Sequence, residues 1–150
     1  MDTVLILYAG LTGNTQDVAT RLSGELGRLF PKNKFELQNI RDADFKKLPN
    51  QKLVFLGASS WSDPINPDAE EFIAKLSKEK LNLSPVTFAL FGLGDSQFQN
   101  FCAILPLLKS ALEHCHAKLY KNQFAIDGYP EQKHIDGLTT WATEVLKNTR

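Results

Sequence analysis

At 150 residues, with 43% hydrophobic side chains and ten Phe, the chain has the length and apolar content of one globular domain with a substantial core. Lys plus Arg balance Asp plus Glu at 17 each, so no charge excess argues for a nucleic-acid partner or an acidic membrane surface. The apolar runs are too short to span a bilayer, and Thr3 to Tyr8 opens without a basic lead or cleavage site, which makes the cytoplasm the expected compartment.

The first run, TVLILY at 3–8, predicts a strand. After the turn that follows it, Val18, Leu22, Leu26 and Leu29 recur on one face of a helix from about Asn14 to Leu29, with Gly24 and Gly27 weakening its second half. KFELQ at 34–38 predicts a second strand, and the segment from Ile40 to Leu48 connects it to the third, LVFLGA at 53–58, without a full helix. Asn66, Pro67, Asp68 and Glu70 carry the polar cap, first-turn proline and early acids of a helix start, with Phe72, Ile73 and Leu76 inward. VTFALFG at 86–92 is the fourth strand. Phe101, Ile104, Leu105, Leu108, Leu112 and Cys115 form a third helical stripe, in which Pro106 is tolerable only in the first turn or at a kink. AKLYKNQFAI at 117–126 is a less regular fifth strand, GYPEQK at 128–133 a turn, and Ile135, Leu138, Trp141 or Ala142, and Val145 mark the last helix. If Cys102 and Cys115 bracket one helix, about 1.5 Å of rise per residue separates them by roughly 20 Å, so both are expected as free thiols.

Strand and helix alternate throughout, and three of the strands are almost continuously apolar. The expected architecture is therefore an α/β open parallel sheet, buried on both faces by helices and joined by right-handed crossovers. In such sheets ligands bind beyond the carboxyl ends of the strands. The turn from Ala9 to Thr15 has the small residues that let backbone N–H groups converge on an anion. Thr12 and Thr15 offer hydroxyls, and the following helix directs its positive end to the same place. The turn lacks the lysine of a nucleoside-triphosphate loop and the G-x-G-x-x-G spacing of dinucleotide folds, which favours a terminal monophosphate held by neutral donors. A turn that merely caps a helix also fits this stretch. Two more loops, SSWSDP at 59–64 and GLGDSQFQNFC at 92–102, leave the same sheet edge. A lone loop aromatic is commonly a flap of the core, but Trp61 and Phe98 on neighbouring exits can sandwich a planar heterocycle, each face gaining about 0.5–1.5 kcal/mol from stacking.

With T-G-N-T at Thr12 to Thr15, a Trp after the third strand and G-x-G-D-S-x-[aromatic]-x-x-F-C at Gly92 to Cys102, the whole chain resembles the short-chain flavodoxins, bacterial FMN-dependent electron carriers. The resemblance implies a flavodoxin-like doubly wound sheet of five parallel strands in the order 2-1-3-4-5, filling residues 1–150 as one FMN-binding domain. It assigns Gly10, Leu11, Thr12, Gly13, Asn14 and Thr15 to the FMN phosphate. Ser59, Ser60, Trp61 and Ser62 would line one side of the isoalloxazine, with Trp61 on the inner face. Leu93, Gly94, Asp95 and Cys102 would approach the ring edge and ribityl chain, Phe98 would stack on the outer face, and Phe101 completes the cofactor-binding set.

Three positions depart from the family pattern. Gly10 replaces the usual Ser or Thr and removes one hydroxyl donor, and Phe98 replaces the common Tyr. Ser62 stands where Gly is common. In the family the peptide after that Gly flips on one-electron reduction, so that its carbonyl meets the protonated flavin N5. Such a flip drives the residue toward φ > 0, which Ser reaches at a cost of about 1 kcal/mol or more. Stabilisation of the one-electron-reduced form is therefore expected to be smaller here.

The chain is neutral where flavodoxins are acidic, yet Asp63, Asp68, Glu70 and Glu71 follow Trp61 without a basic residue before Lys75, and Arg21 is the cation nearest the cradle in sequence. Negative charge beside apolar rings would disfavour a second electron and make the reduced flavin a strong one-electron donor; a merely solvated helix start accounts equally for Asp68 and Glu70. No general acid, nucleophile or metal set converges on the loops, and His114, His116 and His134 read as structural or surface residues. The expectation is a monomeric electron carrier without metal, docking against an NAD(P)H-dependent flavodoxin or ferredoxin reductase, or another redox donor, and then acceptor redox enzymes. A receiver domain is disfavoured by Ala9 and Gly10, which stand where clustered acids would be required. A scaffold module with weak or no FMN, and an FMN-dependent quinone or metal reductase, remain open alternatives.

Overall fold

The computed structural model describes residues 3–10, 13–60, 66–96 and 102–149. Strands β1 (Thr3–Ala9), β2 (Lys34–Asn39), β3 (Leu53–Ser60), β4 (Thr87–Gly94), β5 (Lys118–Leu119) and β6 (Phe124–Asp127) alternate with helices α1 (Gly13–Leu29), α2 (Pro67–Glu79), α3 (Ile104–His114) and α4 (Gln132–Asn148). All strand pairs are parallel, in the order β2-β1-β3-β4-β5, and β6 pairs with β4 beyond β5. Parallel strands need long crossovers, and the four helices supply them or cover the sheet they close.

Side-chain alternation along the central strands divides the core into two layers. Val4, Ile6, Leu53, Phe55, Ala89 and Phe91 face α1 and α4, whose Val18, Leu22, Leu26, Ile135, Leu138 and Val145 complete that layer. Leu5, Leu7, Val54, Leu56, Phe88 and Leu90 face α2 and α3, against Phe72, Leu76, Ile104, Leu105, Leu108 and Leu112. Burial on both faces is why β1, β3 and β4 read as unbroken apolar runs. The expected inward stripe of α1 ends one turn early, at the buried Leu26: Leu29 is 43% exposed.

Pro106 falls in the first turn of α3, where the missing N–H leaves no intrahelical bond unmade. Between β2 and β3 the chain makes only two 3₁₀ turns, Ile40–Asp42 and Leu48–Asn50, which bury Ile40 and Leu48. The fifth strand is two short pieces rather than one. Leu119 pairs with Phe88 and Phe124 with Phe91, so four residues on this strand oppose two on β4. The extra length accommodates Trp141 of α4, whose Nε1 donates to the Asn122 carbonyl at 3.0 Å. Gly57 is required on the same layer: a Cβ there would stand 2.2 Å from Cζ of Phe91, whose ring packs beside Trp141.

Candidate functional site

The strand registers set the geometry of the rim. Ala9 lies opposite Ala58, Ser60 opposite Gly94, and Gly94 opposite Asp127, so β1, β3, β4 and β6 end side by side at one sheet edge. Gly10, Ser59, Ser60, Leu93, Gly94 and Asp95 are thereby gathered there, with the first turn of α1 immediately beyond β1. Leu11, Thr12, Trp61, Ser62, Asp63, Phe98 and Phe101 lie outside the described residues.

Buried side-chain polar groups fasten this edge. Asn66 is 1% exposed; its side-chain amide donates to the carbonyls of Ala9 at 2.8 Å and Ser59 at 3.1 Å, while its oxygen accepts from the Ala69 amide at 3.2 Å. One residue therefore caps α2 and staples the end of β1 to the end of β3. The sequence pattern shows the cap but not the staple. Ser60 does similar work toward α3: the cap residue Ala103 has no side-chain acceptor, and the Ser60 hydroxyl takes the Ile104 amide at 3.0 Å.

Thr15 differs from these. It is fully buried in the first turn of α1, and its hydroxyl has no hydrogen-bond partner among the described residues. A buried hydroxyl left unmatched costs about 1–3 kcal/mol, so a donor held in waiting at a helix N-terminus is what an anion-binding turn needs. Arg21, the nearest cation in sequence, turns elsewhere, bonding the Gln132 side chain on α4 and lying 4.0 Å from Asp17.

The segment leaving β4 is anchored near both its ends. At its start, Asp127 accepts the Ser96 amide at 2.8 Å, and the Gly128 amide donates to the Gly94 carbonyl at 2.7 Å. Gly128 has φ 86°, the left-handed backbone that glycine adopts without strain and that turns the chain back after β6. Hydrogen bonds from the Ser96 side chain and amide, with the nearby charge of His134, hold the Asp127 carboxyl below its ordinary range. At the far end Cys102 adopts φ 51° and packs its sulfur beside Gly92, where a Cβ would come within 3.1 Å of it. Burial, then the charge of Asp127, raises the Cys102 thiol to about 11, so it is neutral at pH 7. Both cysteines are buried and free, and the Cys115 thiol is raised by burial.

The acids that follow β3 are partly compensated, contrary to their unbroken run in sequence. Asp68 lies 3.7 Å from Arg41 of the first 3₁₀ turn, and Glu71 lies 3.4 Å from Lys75 one helical turn on. His134 joins the α4 cap, its Nδ1 accepting the Glu131 amide at 2.9 Å. His114 and His116 line a cavity of about 900 Å³ between α2 and α3, beside the sheet rather than over its strand ends. Among the described residues no His, Cys, Asp and Glu cluster could hold a metal ion, and no helix is long and apolar enough to cross a membrane.

Residues 6–141 match the family model described as flavodoxin. A probable flavodoxin 1 of Bacillus subtilis (strain 168) is 30% identical over 136 residues, spanning 87% of this chain and 81% of that one. A flavodoxin of Maridesulfovibrio salexigens is 29% identical over 150 residues, spanning 97% of each chain. The crystal structure of oxidised flavodoxin 2 from Bacillus cereus matches with a TM-score of 0.85 over 97% of this chain and 99% of that one, at 24% identity, a likeness of fold.

Proposed function

Since the chain belongs to the flavodoxin family, whose members carry electrons on FMN and are not enzymes, we propose that its rim of strand exits holds FMN non-covalently and that the protein passes single electrons at low potential between redox partners. Bound FMN supplies the redox centre. The chain's own residues supply grip, orientation and field.

The observation that carries this reading is the buried hydroxyl of Thr15, which has no partner among the described residues. With the amides that open α1 it forms a neutral donor set to which we assign the phosphate, together with Gly10, Leu11, Thr12, Gly13 and Asn14. Because Arg21 is engaged by Gln132 and Asp17, the phosphate charge would be met by dipoles rather than by that cation. Ser59, Ser60, Trp61 and Ser62 on one side, and Leu93, Gly94, Asp95, Phe98, Phe101 and Cys102 on the other, are assigned to the ring and ribityl chain. The neutral Cys102 thiol adds no charge of its own there. The Asn66 and Ser60 staples hold the donors in place before binding, so that little ordering accompanies it.

We further assign residues 1–150 to one cytoplasmic FMN-binding domain, monomeric, served by an NAD(P)H-dependent reductase and emptied by acceptor redox enzymes. Two buried free thiols suit a reducing compartment. The recombinant protein should be yellow and should release FMN, identified by mass, on acid treatment. Colourless protein that ignores excess FMN would overturn the reading, and sustained oxidation of NAD(P)H by quinone without added reductase would replace the carrier with a reductase.

A further inference from the structure

Asp127 belongs to none of the three loops assigned to the flavin. It ends β6, the outermost strand of the rim, 31 residues from the loop it touches. Yet two hydrogen bonds run from this strand end to the segment leaving β4: Ser96 N–H to the Asp127 carboxylate at 2.8 Å, and Gly128 N–H to the Gly94 carbonyl at 2.7 Å. Between these two contacts lies Asp95, so the path of Gly94, Asp95 and Ser96 is fixed from the β6 side. Across the same edge Gly94 is paired with Ser60, whose hydroxyl is committed to α3. The direction in which the backbone departs from β4 is therefore set by one exposed carboxylate on one flank and by sheet pairing on the other.

We infer that Asp127 is a positioning residue for the flavin site: it holds the Gly94-Asp95-Ser96 backbone in the orientation that the ring edge requires, through its bond to the Ser96 amide. The inference rests on the flavin reading above and adds a residue from a fourth strand to it. The role requires an acceptor at the Asp127 position, and its negative charge is secondary. The hydrogen bonds from Ser96 favour the ionised carboxylate and draw its pKa down. A hydrogen bond to a charged group is worth more than a neutral one, so losing it is felt, while an amide oxygen of the same shape retains most of the geometry.

The test compares the parent protein with Asp127→Ala and Asp127→Asn by two readouts, FMN affinity from fluorescence quenching and residue-resolved exchange of the Ser96 amide in the apoprotein. Positioning predicts that Asp127→Ala weakens FMN binding about tenfold and accelerates Ser96 exchange about tenfold, and that Asp127→Asn restores both to within about threefold of the parent. Unchanged FMN affinity in Asp127→Ala would overturn the inference. So would failure of Asp127→Asn to rescue it, which would make charge the operative property. Should the parent itself not bind FMN, the flavin reading falls separately, and unchanged Ser96 exchange in Asp127→Ala would still refute the anchoring.

Discussion

A threonine hydroxyl sealed inside a protein without a partner costs about 1–3 kcal/mol, and among the described residues nothing relieves Thr15 of that cost at the first turn of α1. Replacing it by valine should therefore act in opposite directions on the two states. Thr15→Val should stabilise the apoprotein by about 1 kcal/mol in urea unfolding and weaken FMN binding about tenfold in titration; a loss of both, or of neither, would remove Thr15 from the cradle. Ser62 makes a second, independent prediction from its side chain. If the cost of φ > 0 opposes a peptide flip, Ser62→Gly should raise the fraction of one-electron-reduced flavin at the midpoint of a redox titration, by the several-fold that about 1 kcal/mol implies. Thr15 was legible because hydroxyls in a glycine-rich turn before a helix have a chemistry of their own. Asn66 was half legible, since a cap is local and a staple to β1 and β3 is not. Asp127 was illegible: nothing in FAID followed by a turn announces a partner in a different loop.

At the level of strands and helices, Gly57 admits Phe91 to the aromatic layer around Trp141, and any Cβ must push against that ring. Gly57→Ala should cost about 3 kcal/mol by overpacking and lower the melting temperature by about 10 °C, a drop that differential scanning calorimetry would register. The Asp127 link between β6 and the β4 exit makes stability depend on acid. Its carboxyl has a lower pKa folded than unfolded, so its contribution is full above the unfolded value and fades as pH falls through the folded one. The difference in unfolding free energy between the parent and Asp127→Asn should accordingly be present at pH 6 and shrink as pH falls below the ordinary carboxylate range; a difference that acid leaves unchanged would show that ionisation is not involved. The continuous apolar runs of β1, β3 and β4 and the cap of α2 stood out in the sequence because burial on both faces and capping are local patterns. The division of the fifth strand did not, because it follows from Trp141 reaching Asn122 across the layer. The exposure of Leu29, which continues the apolar period of α1, is likewise something periodicity cannot express.

For the molecule as a whole, alternation of strand and helix sufficed to expect an open parallel sheet with helices on both faces, while the order 2-1-3-4-5 came with the family resemblance and is the order observed. Formal neutrality leaves docking to local features, and the acids after β3 are partly neutralised by Arg41 and Lys75, so the field at the rim is weaker than the sequence run implies. What unites the site is that strand ends far apart in the chain are neighbours in register, and that the helix opening just past β1 presents its donors beside them. Titrating the apoprotein with FMN while following its backbone amides by NMR tests that union directly. Saturation at one equivalent, with the largest shifts at Gly10, Gly13 to Thr15, Ser59, Ser60 and Leu93 to Ser96, is the predicted result. Shifts confined to the cavity between α2 and α3, or none at a large excess of FMN, would contradict it.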